Sequence, residues 1–291
     1  EVIMKGSNYK THPWKIIEQG WCPDKIMGSE SIFSIGNGSM GQRANFEEDF
    51  SGKTLQGSYI AGIYYPDKTK VGWWKNGYPK YFAKVINAPS WIGISIEINS
   101  IPIDLNKVYK MERFERILDM KKGLYERSIY FKTRDNLKVE INSQRFLSMR
   151  RKSIGAISYN IKCNRDVKIT ICPYIDFDVS NDDSNWDEKF WEIKEKINTQ
   201  NKSLIKCSVK KTDFNVITYM KATLYDDEVK LEKPFQTKSN SEKILLKSKY
   251  SLRKGHTLKV VKFGGYVTSK CNEWEKTENE TNAILKILEN K

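Results

Sequence analysis

The stretch Trp91-Ile92-Gly93-Ile94-Ser95-Ile96-Glu97-Ile98 places isoleucine at 92, 94, 96 and 98. A period of two is the pitch of a strand with one face buried. Working outward, Val139 and Ile141 with Arg145-Phe146-Leu147 show the same texture. So do 154–161, 167–175, 203–209, 215–224, 243–250 and 257–268. Turn residues punctuate the runs at Asn76-Gly77, Asn99-Ser100, Arg134-Asp135-Asn136 and Lys254-Gly255. Strands at this spacing, with almost no helical periods between them, predict antiparallel sheets packed as a sandwich. Two segments depart from the pattern. Trp186, Phe190, Ile193 and Ile197 fall at i, i+4, i+7 and i+11 after the capping candidates Ser184 and Asn185, which predicts a short amphipathic helix. From about Glu273 to Asn290, Trp274, Thr281, Ile284, Leu285 and Leu288 share one helical side, which predicts a C-terminal helix that needs a surface to pack on.

Composition narrows the classes. The chain has 291 residues, 39% of them apolar, enough for a substantial core. No run approaches about 18 apolar residues, so no membrane-spanning helix is expected. Fifty basic against thirty-six acidic side chains give a net charge of +14. The lysines are interleaved with acids, and the densest clusters, such as Arg150-Arg151-Lys152, are short. That reads as solvated faces rather than a nucleic-acid or membrane stripe. Five cysteines, at 22, 163, 172, 207 and 271, are odd in number and none sits at CxxC spacing. Reduced thiols in a cytoplasmic protein are the expectation. The first fifteen residues lack the apolar core of a signal peptide.

Few residues suggest catalysis. The two histidines, His12 and His256, have no neighbouring Ser or Cys arrangement that would make a triad. Gly36-Asn37-Gly38 and Met40-Gly41 lack the ending of a phosphate loop and read as turn glycines. Metal-binding motifs and dinucleotide fingerprints do not occur. The carboxylate groups are Glu47-Glu48-Asp49, Asp176 with Asp178, Asp182-Asp183 and Asp226-Asp227. On a strand Glu47 and Glu48 would point to opposite faces, whereas Asp176 and Asp178 would share one. Asp182-Asp183 reads as a helix start and Asp226-Asp227 as a turn. The aromatic density is more informative. Tyr59, Tyr64, Tyr65, Trp73, Trp74, Tyr78, Tyr81, Phe82 and Trp91 crowd together, with Asn76-Gly77 and Pro79 among them. Rigid aromatic rings suit sugar faces and interfaces. Trp73, Trp74, Asn76 and Tyr78 are the candidates for a substrate rim or interface.

Several segments, in order, resemble glycoside hydrolase family 65. They are Trp14-Lys15-Ile16-Ile17-Glu18, Ile35-Gly36-Asn37-Gly38-Ser39-Met40-Gly41, Arg43 with Phe46-Glu47-Glu48, and Gly57-Ser58-Tyr59-Ile60-Ala61-Gly62-Ile63-Tyr64. Val71-Gly72-Trp73-Trp74-Lys75-Asn76-Gly77-Tyr78-Pro79, Asn87-Ala88-Pro89-Ser90-Trp91 and Asn181-Asp182-Asp183-Ser184-Asn185 look like its maltose phosphorylase branch; kojibiose and trehalose phosphorylases are also similar. The resemblance implies inverting, phosphate-dependent cleavage of an α-glucobiose to β-glucose 1-phosphate and glucose, with inorganic phosphate as co-substrate and no cofactor. It implies a mainly β fold: a large antiparallel sandwich over residues 1–270, followed at 271–291 by the start of a helical linker. The general acid, the phosphate site and the (α/α)6 barrel are then expected outside this chain, together with a small C-terminal β-domain. No residue here inherits a catalytic or metal-binding role. The implied partners are the chain's own barrel, a second copy in a homodimer and the disaccharide, with neither nucleic acid nor membrane. A stand-alone carbohydrate-binding sandwich is the alternative reading.

Overall fold

The computed structural model describes residues 8–69, 77–182, 188–199, 202–232, 235–269 and 274–289. Two antiparallel sheets form the body. The larger has eleven strands. Its order runs Tyr9–His12, Lys15–Gln19, Lys110–Asp119, Leu124–Lys132, Lys138–Leu147, Gly155–Cys163, Thr257–Ser269, Asn215–Asp226, Lys202–Val209 and Trp191–Thr199, with Val229–Lys230 paired to Asn215–Asp226. The smaller runs Gln236–Ser239, Lys243–Leu252, Val167–Asp176, Ile94–Ile98 and Ile101–Pro102. The mainly β sandwich expected from the periodicity is therefore the observed architecture.

The decisive stretch behaves as its period requires. Ile92, Ile94, Ile96 and Ile98 are all buried. They join one continuous core with Ile169, Ile171, Ile244 and Leu246 of the same sheet and with Ile129, Phe131, Val139, Ile141 and Val260 of the facing sheet. Asn99 and Ser100 both take positive φ, 51° and 67°, between two paired strands. Such a two-residue turn matches the twist of the hairpin. Trp91, just before the strand, fixes how closely the sheets approach. Its ring lies over Gly155 and Gly264, where an added Cβ would sit 2.5 Å from ring atoms.

The inserted helix expected around 186–197 is not formed among the described residues. Residues Trp191–Thr199 are an outer strand of the large sheet, paired with Lys202–Val209. The register shifts between Ile193 and Glu195, leaving Lys194 as an extra residue. A spacing of four is even, so it fits a strand as well as a helix. The bulge then reverses the parity. Ile193 packs on the inter-sheet core, whereas Ile197 packs on the opposite face. Asp182 lies in a turn, and Asp183 and the capping candidates Ser184 and Asn185 lie outside the described residues.

The C-terminal helix spans Trp274–Glu289. Ile284, Leu285 and Leu288 pack on Ile154, Leu204, Ile217 and Val267, on the face of the large sheet away from the sandwich core. The surface that this helix needs is supplied by the sheet itself. A second helix, Ile26–Ile32, buries Ile26, Ser29 and Glu30 near the edge of the same sheet.

Candidate functional site

Three features lie close together along the bend 45–58 and the segment 87–93: a buried ionic ladder, a polar cavity and an aromatic hairpin.

The ladder arises from strand parity. Arg116 shares its inward face with Phe114 and Leu118, Arg127 with Tyr125 and Ile129, and Arg145 with Ile141 and Ser143. Register places Glu18, Arg116, Arg127, Ser143 and Tyr159 side by side across five strands. Two guanidiniums directly opposite would repel, so carboxylates must enter from elsewhere. Glu47 and Glu48 supply them. These residues lie in a bend and not on a strand, so the alternation expected for them does not hold and both point inward. Arg127 Nη2 donates to Glu47 Oε2 at 2.6 Å and to Glu48 Oε2 at 2.7 Å. Glu47 also accepts from Ser143 Oγ at 3.0 Å and from Arg145 Nε at 3.2 Å. Tyr159 donates to Glu48. Arg116 Nε is 3.1 Å from Glu18 Oε2, and its guanidinium lies 4.9 Å from the ring centres of Phe46 and Phe114. Burial pushes the Glu47 carboxyl up, but Arg145 and Arg127 more than reverse this and hold it at about 2. Burial lowers Lys262 well below the usual lysine range, and its amine donates to the carbonyls of Gly93 at 2.7 Å and Tyr174 at 2.9 Å. Glu47 and Glu48 are held by guanidiniums and hydroxyls, and Glu18 Oε1 accepts from Ser29 Oγ at 2.5 Å. The ladder locks the bend onto the sheet.

The cavity lies on the other side of that bend. It encloses about 210 Å³ between 45–58, 87–93, 174–179 and Lys243. Partial loss of water raises Asp49 and Asp176, Lys243 opposing the rise in both. Asp176 does not pair with Asp178 to make a two-carboxylate site. Asp176 Oδ1 accepts the backbone N–H of Asp178 at 3.0 Å, and the Asp178 side chain turns outward to Lys189 Nζ at 2.6 Å.

The hairpin Tyr64–Lys68 and Tyr81–Val85 carries the aromatic segment. Its inner face is anchored by the buried pair Lys84–Asp67, 2.9 Å apart, and by Tyr65, whose ring lies 4.6 Å from that of Phe190. Tyr65 also donates to Glu188. Tyr64, Phe82, Tyr81 and Val85 remain exposed. Tyr78 is 55% exposed beyond the hairpin. Trp73, Trp74 and Asn76 lie outside the described residues. The aromatic crowd thus divides between core, as with Tyr65 and Trp91, and surface.

The remaining candidates are structural. Asn37 Oδ1 accepts from the N–H groups of Ser39 and Met40 at 3.0 and 2.9 Å, which makes the glycine-rich stretch a capped turn. Asp226-Asp227 is a turn, Asp227 having φ 51°. His256 Nδ1 lies 3.0 Å from Asp226 and 3.2 Å from Asp227, a grouping that distance along the chain concealed. Cys22, Cys163, Cys172 and Cys207 are free thiols. Among the described residues no helix is long and apolar enough to cross a membrane.

Comparison with known proteins places this architecture. The sequence model of glycosyl hydrolase family 65, N-terminal domain, matches residues 16–290. The chain belongs to this family. It is similar to the maltose phosphorylase of Bacillus subtilis (strain 168), 45% identical over 185 residues that make up 63% of this chain and 24% of that protein. It is 30% identical to the alpha,alpha-trehalose phosphorylase of Thermoanaerobacter brockii over 177 residues, 60% of this chain and 23% of that one. A solved structure from the human microbiome, provisionally named a kojibiose phosphorylase, superposes with a TM-score of 0.84 at 26% identity, covering 97% of this chain and 36% of that one. The matched part of the chain spans about a quarter of the length of these two curated relatives.

Proposed function

We propose that this family 65 chain is the non-catalytic N-terminal domain of an inverting α-glucobiose phosphorylase, with maltose and phosphate as substrates and β-glucose 1-phosphate and glucose as products. The observation that carries the reading is the family match over 16–290 combined with 45% identity to a maltose phosphorylase along a quarter of that enzyme. The residues support a scaffold role. The Glu47 and Glu48 side chains are buried and paired with the ladder's arginines, an arrangement that holds the bend in place. The exposed rings of Tyr64, Tyr78, Tyr81 and Phe82 give an apolar edge for a catalytic barrel, a second subunit or the rim of an active site, and Trp73, Trp74 and Asn76 remain rim or interface candidates by sequence. In this reading the sandwich domain takes residues 1–270, and 271–291, with the helix at 274–289, begins the linker to the barrel. Nucleic acid and membrane play no part in this reading.

The test is an assay for phosphate-dependent glucose 1-phosphate release from maltose. It is run on the 291-residue chain and on the longer protein that this reading requires. Activity is expected only in the longer protein, with the β-anomer as product. Turnover by the 291-residue chain would overturn the reading.

A further inference from the structure

We propose that the cavity between the bend 45–58 and Lys243 is a binding site for one ring of a neutral, hydroxyl-rich ligand, a hexose.

The argument begins with an acceptor that has lost its donor. Asn87 is 5% exposed and lines the cavity. Three of its four polar groups are engaged. Its N–H donates to Asn181 Oδ1 at 2.9 Å, its carbonyl accepts from Trp191 Nε1 at 2.6 Å, and its Nδ2 donates to the Ser180 carbonyl at 2.8 Å. The last bond fixes the orientation of the amide, because a carbonyl can face only the NH2. The remaining atom, Oδ1, is buried without a partner. A buried acceptor left unpaired costs about 1–3 kcal/mol, and it is met here at the wall of a cavity rather than in packed core.

The rest of the lining selects what could fill it. Asp49 and Asp176 add carboxylate acceptors. Lys243 adds an ammonium, 3.4 Å from Asp176 Oδ2 and 4.7 Å from the centre of the Tyr174 ring. An anion would face the carboxylates. A cation would face Lys243, which already occupies the cation's place beside Asp176. A neutral polyol meets both demands: its hydroxyl protons go to Asn87 Oδ1 and the carboxylates, and its oxygens accept from Lys243. Phe50 and Tyr174 supply apolar ring surface. Tyr174 is held across Gly93, where an added Cβ would lie 2.2 Å from the ring. A volume of about 210 Å³ corresponds to roughly seven waters. That is below the 300–1,000 Å³ or so of pockets for larger ligands, and it suits a single ring. This inference does not depend on the phosphorylase reading, because it concerns binding by this chain without turnover.

The experiment is saturation-transfer NMR and calorimetry on the 291-residue chain with glucose, maltose, calcium chloride and spermidine as separate probes. Saturable binding of glucose, or of maltose through one ring, is expected, with no competition from calcium or spermidine. Asp49→Ala and Lys243→Met each weaken it about tenfold or more, the loss of one good polar contact, ~1.4 kcal/mol. Asp49 is at the exposed rim, so Asp49→Ala keeps the fold, checked by an unchanged unfolding midpoint. The proposal is overturned if neither sugar saturates, if sugar binding survives both substitutions, or if only calcium or spermidine binds.

Discussion

Glu47→Gln offers the sharpest perturbation of the fold. The side chain is fully buried, and it takes hydrogen bonds from Arg127, Arg145 and Ser143. Glutamine keeps the shape, removes the charge and turns an NH2 toward a guanidinium. Two routes give the magnitude. The carboxyl is held at about 2 instead of 4.5, and at about 1.4 kcal/mol per pKa unit this is roughly 3–4 kcal/mol of stability. Breaking a buried ion pair costs about 3–5 kcal/mol on general grounds. Against a total of about 5–15 kcal/mol for a domain, urea unfolding at neutral pH should show a large fall in midpoint. The pH dependence has a definite sign. A carboxyl lowered in the folded state contributes fully above about pH 4.5, and the contribution is lost as pH falls toward 2. The gap between the parent and Glu47→Gln should therefore narrow on acidification. Glu126→Gln, on the outer face of the neighbouring strand, is the control and should change stability by no more than about 0.5 kcal/mol. A loss below about 1 kcal/mol for Glu47→Gln, or a gap that stays constant down to low pH, would refute the reasoning.

Gly264→Ala forces a methyl into the Trp91 ring, and thermal unfolding should show a loss of about 1–3 kcal/mol. Leu285→Ala empties the contact between the C-terminal helix and the sheet. It should cost about 2–5 kcal/mol by urea titration and expose the helix to limited proteolysis. Tyr81→Ser should leave the stability of the chain within about 0.5 kcal/mol, because the ring is exposed. Trp73→Ala with Trp74→Ala, made in the longer phosphorylase, should raise KM for maltose or disturb subunit assembly, measured by steady-state kinetics and light scattering.

The strands were legible where one face is buried and the other wet. Ile92, Ile94, Ile96 and Ile98 announce themselves, and Asn99-Ser100 ends the run with residues suited to positive φ. Trp191–Thr199 was not legible as a strand. A bulge at Lys194 in an outer strand places Ile193 and Ile197 on opposite faces, and no local pattern encodes a bulge. The ladder was half legible. Arg116, Arg127 and Arg145 stand at inward parity among apolar neighbours, a signal that strand alternation alone could have exposed. The counter-ions of Arg127 and Arg145 could not be read, because Glu47 and Glu48 come from a bend some eighty to a hundred residues away in sequence. The cavity was equally hidden. Asp49, Asn87, Asp176 and Lys243 meet only once both sheets are assembled. Tyr78, one of the substrate-rim or interface candidates, is exposed.

The central claim is that this sandwich serves as one non-catalytic domain of a longer phosphorylase. Its most direct test is the length of the native polypeptide that carries it, measured in source cells by immunoblot with an antibody against residues 94–176 and by intact mass. The account predicts a product more than twice the length of this chain, because 185 matched residues make up only 24% of one relative and 97% of this chain covers only 36% of another. A native product that ends near Lys291 would contradict it and make a stand-alone carbohydrate-binding sandwich the better description.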